Sequence, residues 1–149
     1  MLELAMVMFV IAIMLGLSLP LVTALAGRFR VGSARDAFVN TYARARATAV
    51  QYGRDGRLHI RADRGQFWVE VDTGIPGALA ADTIGRVVNL AAEYGGVTMY
   101  SPKQVLCFDS RGLAYSGGVC ESHDAIVTFS RANRVDTVQL SLGGTVVRR

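Results

Sequence analysis

Residues Leu4 to Ala26 form an unbroken apolar run, LAMVMFVIAIMLGLSLPLVTALA, and a single carboxylate, Glu3, stands directly in front of it. At a rise of ~1.5 Å per residue such a run is long enough to cross the ~30 Å hydrocarbon core of a bilayer as one helix. A helix on the surface of a soluble core carries polar residues along a second face; here only Ser18 and Thr23 interrupt the run. The composition therefore predicts a membrane segment. A cleaved secretory signal is the alternative. Against it, the apolar stretch exceeds the usual hydrophobic region of a signal, no Lys or Arg precedes it, and Pro20-Leu21-Val22-Thr23 carries it past a plausible cleavage point. Ala24 and Ala26 give only a weak small-x-small pattern before Gly27.

Glu3 is the unusual residue. A carboxylate at the edge of a membrane span is costly unless it is paired or reaches the interface, so it tends to have a purpose. An ordinary acid in the first turn of a helix, favoured by the positive end of the dipole, is the plainer reading. Leu2-Glu3-Leu4, the apolar stretch and Pro20 together resemble the N-terminus of type IV pilins and type II secretion pseudopilins. By that resemblance Glu3 matches the family's Glu and Pro20 its helix-kinking Pro, and both are assigned to filament assembly. The family also implies a basic leader, a Gly at the processing site and two further residues ahead of the Glu. Only Met1 and Leu2 precede Glu3 in this sequence, so the true start is expected upstream. Arg28, Arg30 and Arg35 after the span would, by the positive-inside rule, hold the C-terminal part in the cytoplasm. The resemblance implies the reverse, a single-pass protein of the bacterial inner membrane with its globular part in the periplasm.

Residues 28–149 suffice for one domain with its own core. The formal net charge is +4 and comes almost wholly from Arg, Lys103 being the only lysine. A charge this mild is weak ground for a nucleic-acid or lipid partner. Ala34, Phe38, Thr41, Ala45, Ala49 and Tyr52 recur at three- and four-residue spacing while Arg35, Asp36, Arg44 and Arg46 fall elsewhere, which predicts an amphipathic helix over 33–53 that Gly53 and Asp55-Gly56 end. Gly27 and Gly32 each weaken a helix by ~1 kcal/mol relative to Ala, so a hinge is expected over 27–32. The first division thus falls at 1–27, the membrane or filament-core half of the helix, and 28–149, the globular part.

From 57 to 149 the pattern is of short strands. Leu58 and Ile60 alternate within 57–61; Phe67, Val69 and Val71 share one face of 66–71, with Trp68 and Glu70 on the other. A loop is read at 72–81, from Gly74, Pro76 and Gly77, and further strands at 86–90, 97–101, 105–108, 113–115, 125–130, 135–141 and 145–148. Turns are expected at 109–112 and 131–134. The fold class that follows is α+β: a long N-terminal helix packed on an antiparallel β-sheet or sandwich.

The second half extends the resemblance. Ala45-Arg46-Ala47-Thr48-Ala49-Val50-Gln51-Tyr52-Gly53 is similar to the helix ending of GspH/FimT-type minor pilins and pseudopilins, with Ala47-Thr48 where a Glu usually follows the Arg. Phe108-Asp109-Ser110-Arg111-Gly112 is similar to their late turn, and Gly143-Gly144-Thr145-Val146-Val147-Arg148 to their terminal strand, with Thr145 in place of an Arg. The resemblance implies a structural subunit of a type II secretion pseudopilus or type IV pilus, at the tip or in the initiation complex, whose partners are other pilins met through the N-terminal helix and the inner membrane. A DNA-binding minor pilin of an uptake pilus is the alternative, with Arg131, Arg134, Arg148 and Arg149 on phosphates. A membrane-anchored binding protein that joins no filament is a third.

Catalytic signatures are missing. Ser122-His123-Asp124 has the residue types of a triad, but adjacent residues do not readily form its relay. His59 lies in a predicted strand, and the acids show no metal-ligand spacing, so no cofactor, metal or catalytic residue is assigned. Cys107 and Cys120 are expected to form a disulfide if the domain is periplasmic; two buried free thiols are the alternative.

Overall fold

The computed structural model describes residues 2–72, 81–141 and 146–148, and side chains for all of these except residues 2, 4, 5, 15–28 and 148. One helix, α1 (Leu2–Tyr52), is followed by nine strands: β1 (Gly56–Arg61), β2 (Gln66–Asp72), β3 (Ala81–Asn89), β4 (Thr98–Tyr100), β5 (Val105–Phe108), β6 (Ala114–Tyr115), β7 (Ala125–Arg131), β8 (Arg134–Leu140) and β9 (Val146–Arg148). A 3₁₀ turn at Ala62–Arg64 joins β1 to β2, and a one-turn helix, α2 (Leu90–Glu93), follows β3. The strands form two antiparallel sheets, in the orders β3-β2-β1-β5-β6 and β4-β7-β8-β9.

The alternation read from the sequence builds both inner faces. Leu58, Ile60, Phe67, Val69 and Val71 are buried, and Val127, Phe129, Val138 and Leu140 do the same for the second sheet. The C-terminal half of α1 seals both. Phe38 is the wedge, its ring centroid 5.4 Å from that of Phe67 in one sheet and 5.6 Å from that of Phe129 in the other. Ala34, Ala45 and Ala49 on the same stripe are fully buried, and their small side chains let strands approach the helix backbone. At Gly56 the approach is closest: a Cβ there would stand 2.7 Å from the carbonyl oxygen of Ala45. Arg35 reaches Asp136 on β8 at 3.4 Å and so ties the helix to the second sheet where it enters the domain.

The helix ends as the sequence predicts. Gly53 sits at φ +64°, its N–H donates to Val50 O at 3.2 Å and that of Arg54 to Ala49 O at 3.1 Å, the paired bonds of a left-handed C-terminal cap. Four expectations change. Tyr52 is exposed, because this cap lifts the last turn clear of the sheets, and Tyr42 rather than Thr41 fills the buried stripe. No break occurs at 27–32; α1 runs through Gly27 and Gly32 as helix. The strand placed at 86–90 begins at Ala81, and its alternation is hidden by a bulge in which residues 85–87 stand opposite Trp68 alone. Leu90 belongs instead to α2, since the Asn89 side chain accepts from the N–H groups of Ala91 and Ala92 and starts a helical turn. Most of the loop read at 72–81 and the Gly143-Gly144-Thr145 motif lie outside the described residues.

Candidate assembly interface

The two halves of α1 have opposite environments. From Val31 onward one stripe is packed into the domain, whereas Met6, Val7, Met8, Phe9, Val10, Ile11, Ile13 and Met14 are all exposed, Phe9 at 69%. Consecutive residues turn ~100° about a helix axis, so these side chains point in every direction. No single face explains them; the segment requires apolar surroundings on all sides. Burying such a side chain stabilises by ~1.5–3 kcal/mol, so the projecting helix holds on the order of 10 kcal/mol of unused association energy. Glu3 is exposed one turn before this segment. Pro20 lies within α1, with its side chain outside the description. Among the described residues no helix is long and apolar enough to cross a membrane, the side chains of 15–28 lying outside that set.

The structure brings together only part of the basic set. Arg131 and Arg134 pair with each other across the β7–β8 turn, where Ala132 takes φ +50°. Arg148 stands on β9 opposite Val138, four positions along β8 from Arg134 and so roughly 13 Å away. Arg149 lies outside the described residues. Among the described residues neither Arg131 nor Arg134 has a carboxylate partner.

Cys107 and Cys120 are joined in a disulfide with their Cα atoms 5.5 Å apart. The bond holds the 117–121 segment against β5, where Glu121 N–H donates to Val105 O at 2.9 Å. Close by, His123 of the Ser-His-Asp string is buried at 2% exposure. Its Nε2 lies 2.9 Å from Cys107 O, an acceptor only, so Nε2 carries the proton and donates. Nδ1 then accepts from the Tyr42 hydroxyl at 2.9 Å. Burial pushes the His123 pKa down, partly opposed by the Cys107 carbonyl, and pushes Tyr42 up to about 12 against the opposing charge of Arg46. Both ring nitrogens are spent on holding α1 to β5. The ring serves as a polar core residue, which sequence reasoning missed.

A second unforeseen cluster lies on the outer face of the five-stranded sheet. His59 and Trp68, directly opposite in the β1–β2 register, stack with centroids 5.2 Å apart and planes 9° from parallel. The Trp68 indole donates to Glu70 Oε1 at 2.6 Å, and Arg61 lies over the same ring at 5.5 Å. His59 Nε2 stands 3.0 Å from Glu70 Oε2. Its pKa is lowered, by burial first and against the pull of Glu70.

No family model matches the chain, and no curated protein matches it. Among solved structures the fold is similar to that of the type IV minor pilin FimU of Pseudomonas aeruginosa strain PAO1, with a TM-score of 0.58 over 82% of this chain and 90% of that one, at 13% identity. The fold is therefore pilin-like: a long N-terminal helix on antiparallel sheets.

Proposed function

We propose that this chain is a minor pilin or pseudopilin, a structural subunit that enters a type IV pilus or type II secretion pseudopilus by its N-terminal helix, at the tip or in the initiation complex. The observation that carries the reading is the division of one continuous helix. Its C-terminal half is the wedge of the domain core, and its N-terminal segment presents apolar side chains in all directions. The inner membrane supplies apolar surroundings before assembly, with the globular domain in the periplasm; a bundle of like helices supplies them afterwards. The likeness of the fold to a minor pilin supports the reading as a pilin subunit. In the bundle Glu3 neutralises a terminal ammonium, its own or a neighbour's, where an unpaired charge is expensive.

Glu3 is remote from the domain core, so Glu3→Ala is expected to leave the thermal midpoint of the domain unchanged and to lower incorporation into sheared filaments and crosslinking to partner pilins. Equal incorporation of the variant and the parent would remove the role assigned to Glu3.

DNA binding is the lesser reading, favoured by Arg131 and Arg134 forming no ion pair among the described residues, the nearby Asp136 being paired with Arg35. It predicts a gel shift of duplex DNA that fades as salt rises and is lost in the Arg131→Ala, Arg134→Ala double variant. An identical shift by that variant argues against these residues as the contact.

A further inference from the structure

The 3₁₀ turn between β1 and β2 faces the loop after β4 across an open pocket of about 470 Å³ whose polar lining is Arg61, Asp63, Arg64, Ser101, Lys103 and Gln104. The lining thus carries three cations and one carboxylate. Among the described residues Asp63 pairs with Arg64 alone, loosely at 3.8 Å with both side chains mostly in solvent, a contact that contributes little. Among the described residues Arg61 and Lys103 have no carboxylate partner. Lys103 is nevertheless half-buried.

Both walls are set without any ligand. Ser101 Oγ donates to Lys103 O at 2.7 Å and accepts from Lys103 N–H at 3.2 Å. Gln104 N–H donates to Glu121 Oε2 at 2.9 Å, and Gln104 O accepts from Ile60 N–H at 2.7 Å. On the other side Gly65, at φ +60°, closes the 3₁₀ turn and its carbonyl accepts from Leu90 N–H at 2.9 Å. Arg61 lies over Trp68, which Glu70 and His59 hold in turn. The backbone that carries these cations is fixed in advance and Arg61 rests on Trp68, so less freedom is lost when an anion arrives than on an unordered loop.

We propose that this pocket binds a phosphoryl group, with the planar fork of Arg61 and the ammonium of Lys103 as its principal donors and Arg64 as a third. A guanidinium and an ammonium lining one pocket suit a tetrahedral, multiply charged oxyanion, because each of its oxygens accepts a charge-assisted hydrogen bond. Free polyphosphate and a phosphodiester backbone carry the same chemistry. The site lies on different elements from the projecting helix and from Arg131 and Arg134, and it does not depend on the filament reading.

Trp68 is the only tryptophan in the chain and lies under Arg61, so it reports on the site. Pyrophosphate titrated into the full chain in non-ionic detergent, at ionic strength held constant with sodium chloride, is expected to change its fluorescence saturably, with a midpoint of ~1 mM or below. Lys103→Gln leaves Arg61 on Trp68 and removes one charged donor, so affinity should fall about tenfold. The thermal midpoint should not move, and Arg131→Gln should bind like the parent. Calorimetry on the same proteins covers a silent reporter. An oligothymidylate that binds tighter than pyrophosphate, with the same dependence on Lys103, identifies a phosphodiester chain as the source; tighter pyrophosphate identifies a free ligand. The proposal is overturned by equal affinity in Lys103→Gln, by the same response to chloride alone, or by neither heat nor a fluorescence change in the parent.

Discussion

Gly56 is where β1 lies against α1, and Gly56→Ala tests how tightly that contact is drawn. The added Cβ would stand 2.7 Å from Ala45 O and 2.9 Å from the Ala49 methyl, against 3.4 Å or more for ordinary contact. Strand and helix must therefore part by about 0.7 Å. Neither has room to move. Gly56 is bonded into an interior strand, opposite Val71 on one side and Phe108 on the other, while Ala45 and Ala49 are fully buried. Overpacking of this kind costs ~1–3 kcal/mol. The loss of glycine's freedom in the unfolded chain returns ~0.4–1 kcal/mol. A backbone carbonyl is the closest obstacle and yields less than a side-chain end, which places the net destabilisation at about 2 kcal/mol. Urea unfolding of the full chain in detergent, followed through Trp68, should show a midpoint lowered by ~1 M at unchanged slope. Ala49→Gly weakens the helix by ~1 kcal/mol in its own right, but in that background the methyl contact is relieved and the carbonyl contact stays, so the cost of Gly56→Ala should shrink without vanishing, and rescue means that reduction. A midpoint within the error of the parent, or complete rescue by Ala49→Gly, would refute the reasoning.

Tyr42→Phe leaves His123 Nδ1 without its donor in a site closed to water and should cost ~1–3 kcal/mol in the same unfolding measurement. The histidines also set a pH dependence. The folded-state pKa values of His123 and His59 both lie below the usual 6.5. As pH falls through that value the unfolded chain takes up protons that the folded chain refuses. Stability is therefore full above ~6.5 and falls below it, by at most ~1.4 kcal/mol per pH unit for each ring, until the folded pKa is reached. A His59→Gln background isolates the His123 share, and flat stability from pH 7 to 5 in that background argues against a buried neutral ring. Replacing Cys107 and Cys120 together by Ala opens a loop of sequence separation 13 and should cost about 3 kcal/mol. An unfolding midpoint insensitive to this change would mean that the backbone bonds of 117–121 suffice to hold the segment.

What was legible in the sequence is what a period specifies. Alternation at 58–60 and 67–71 identified buried faces because one inward side chain in two is all an inner sheet face requires. The helix stripe was nearly as clear, and its two slips are physical: Tyr42, its hydroxyl satisfied by His123, fills the buried position assigned to Thr41, and the C-terminal cap leaves Tyr52 exposed. The β3 error has a similar cause. A bulge puts residues 85–87 against Trp68 and destroys the alternation on which a strand is recognised. Partners distant in sequence leave no such trace. Tyr42 and His123 are 81 residues apart, and nothing periodic joins them.

The cluster around Trp68 falls between these cases. Once strands are read at 57–61 and 66–71 with a tight connection, closing the hairpin between Arg61 and Gln66 fixes every pair before it, and His59 then falls opposite Trp68. Trp68 and His59 thus occupy the same outward row of neighbouring strands, and Arg61, two residues beyond His59 on that face, comes within reach diagonally. Local pattern and turn length together therefore specify a cation over an aromatic ring. The C-terminal arginines had drawn attention as a basic cluster, yet no aromatic ring contacts Arg131 or Arg134 among the described residues. Arg61 rests on Trp68 and lines one pocket with Lys103, and so joins charge to a partly ordered position, the combination that favours selective recognition of an anion.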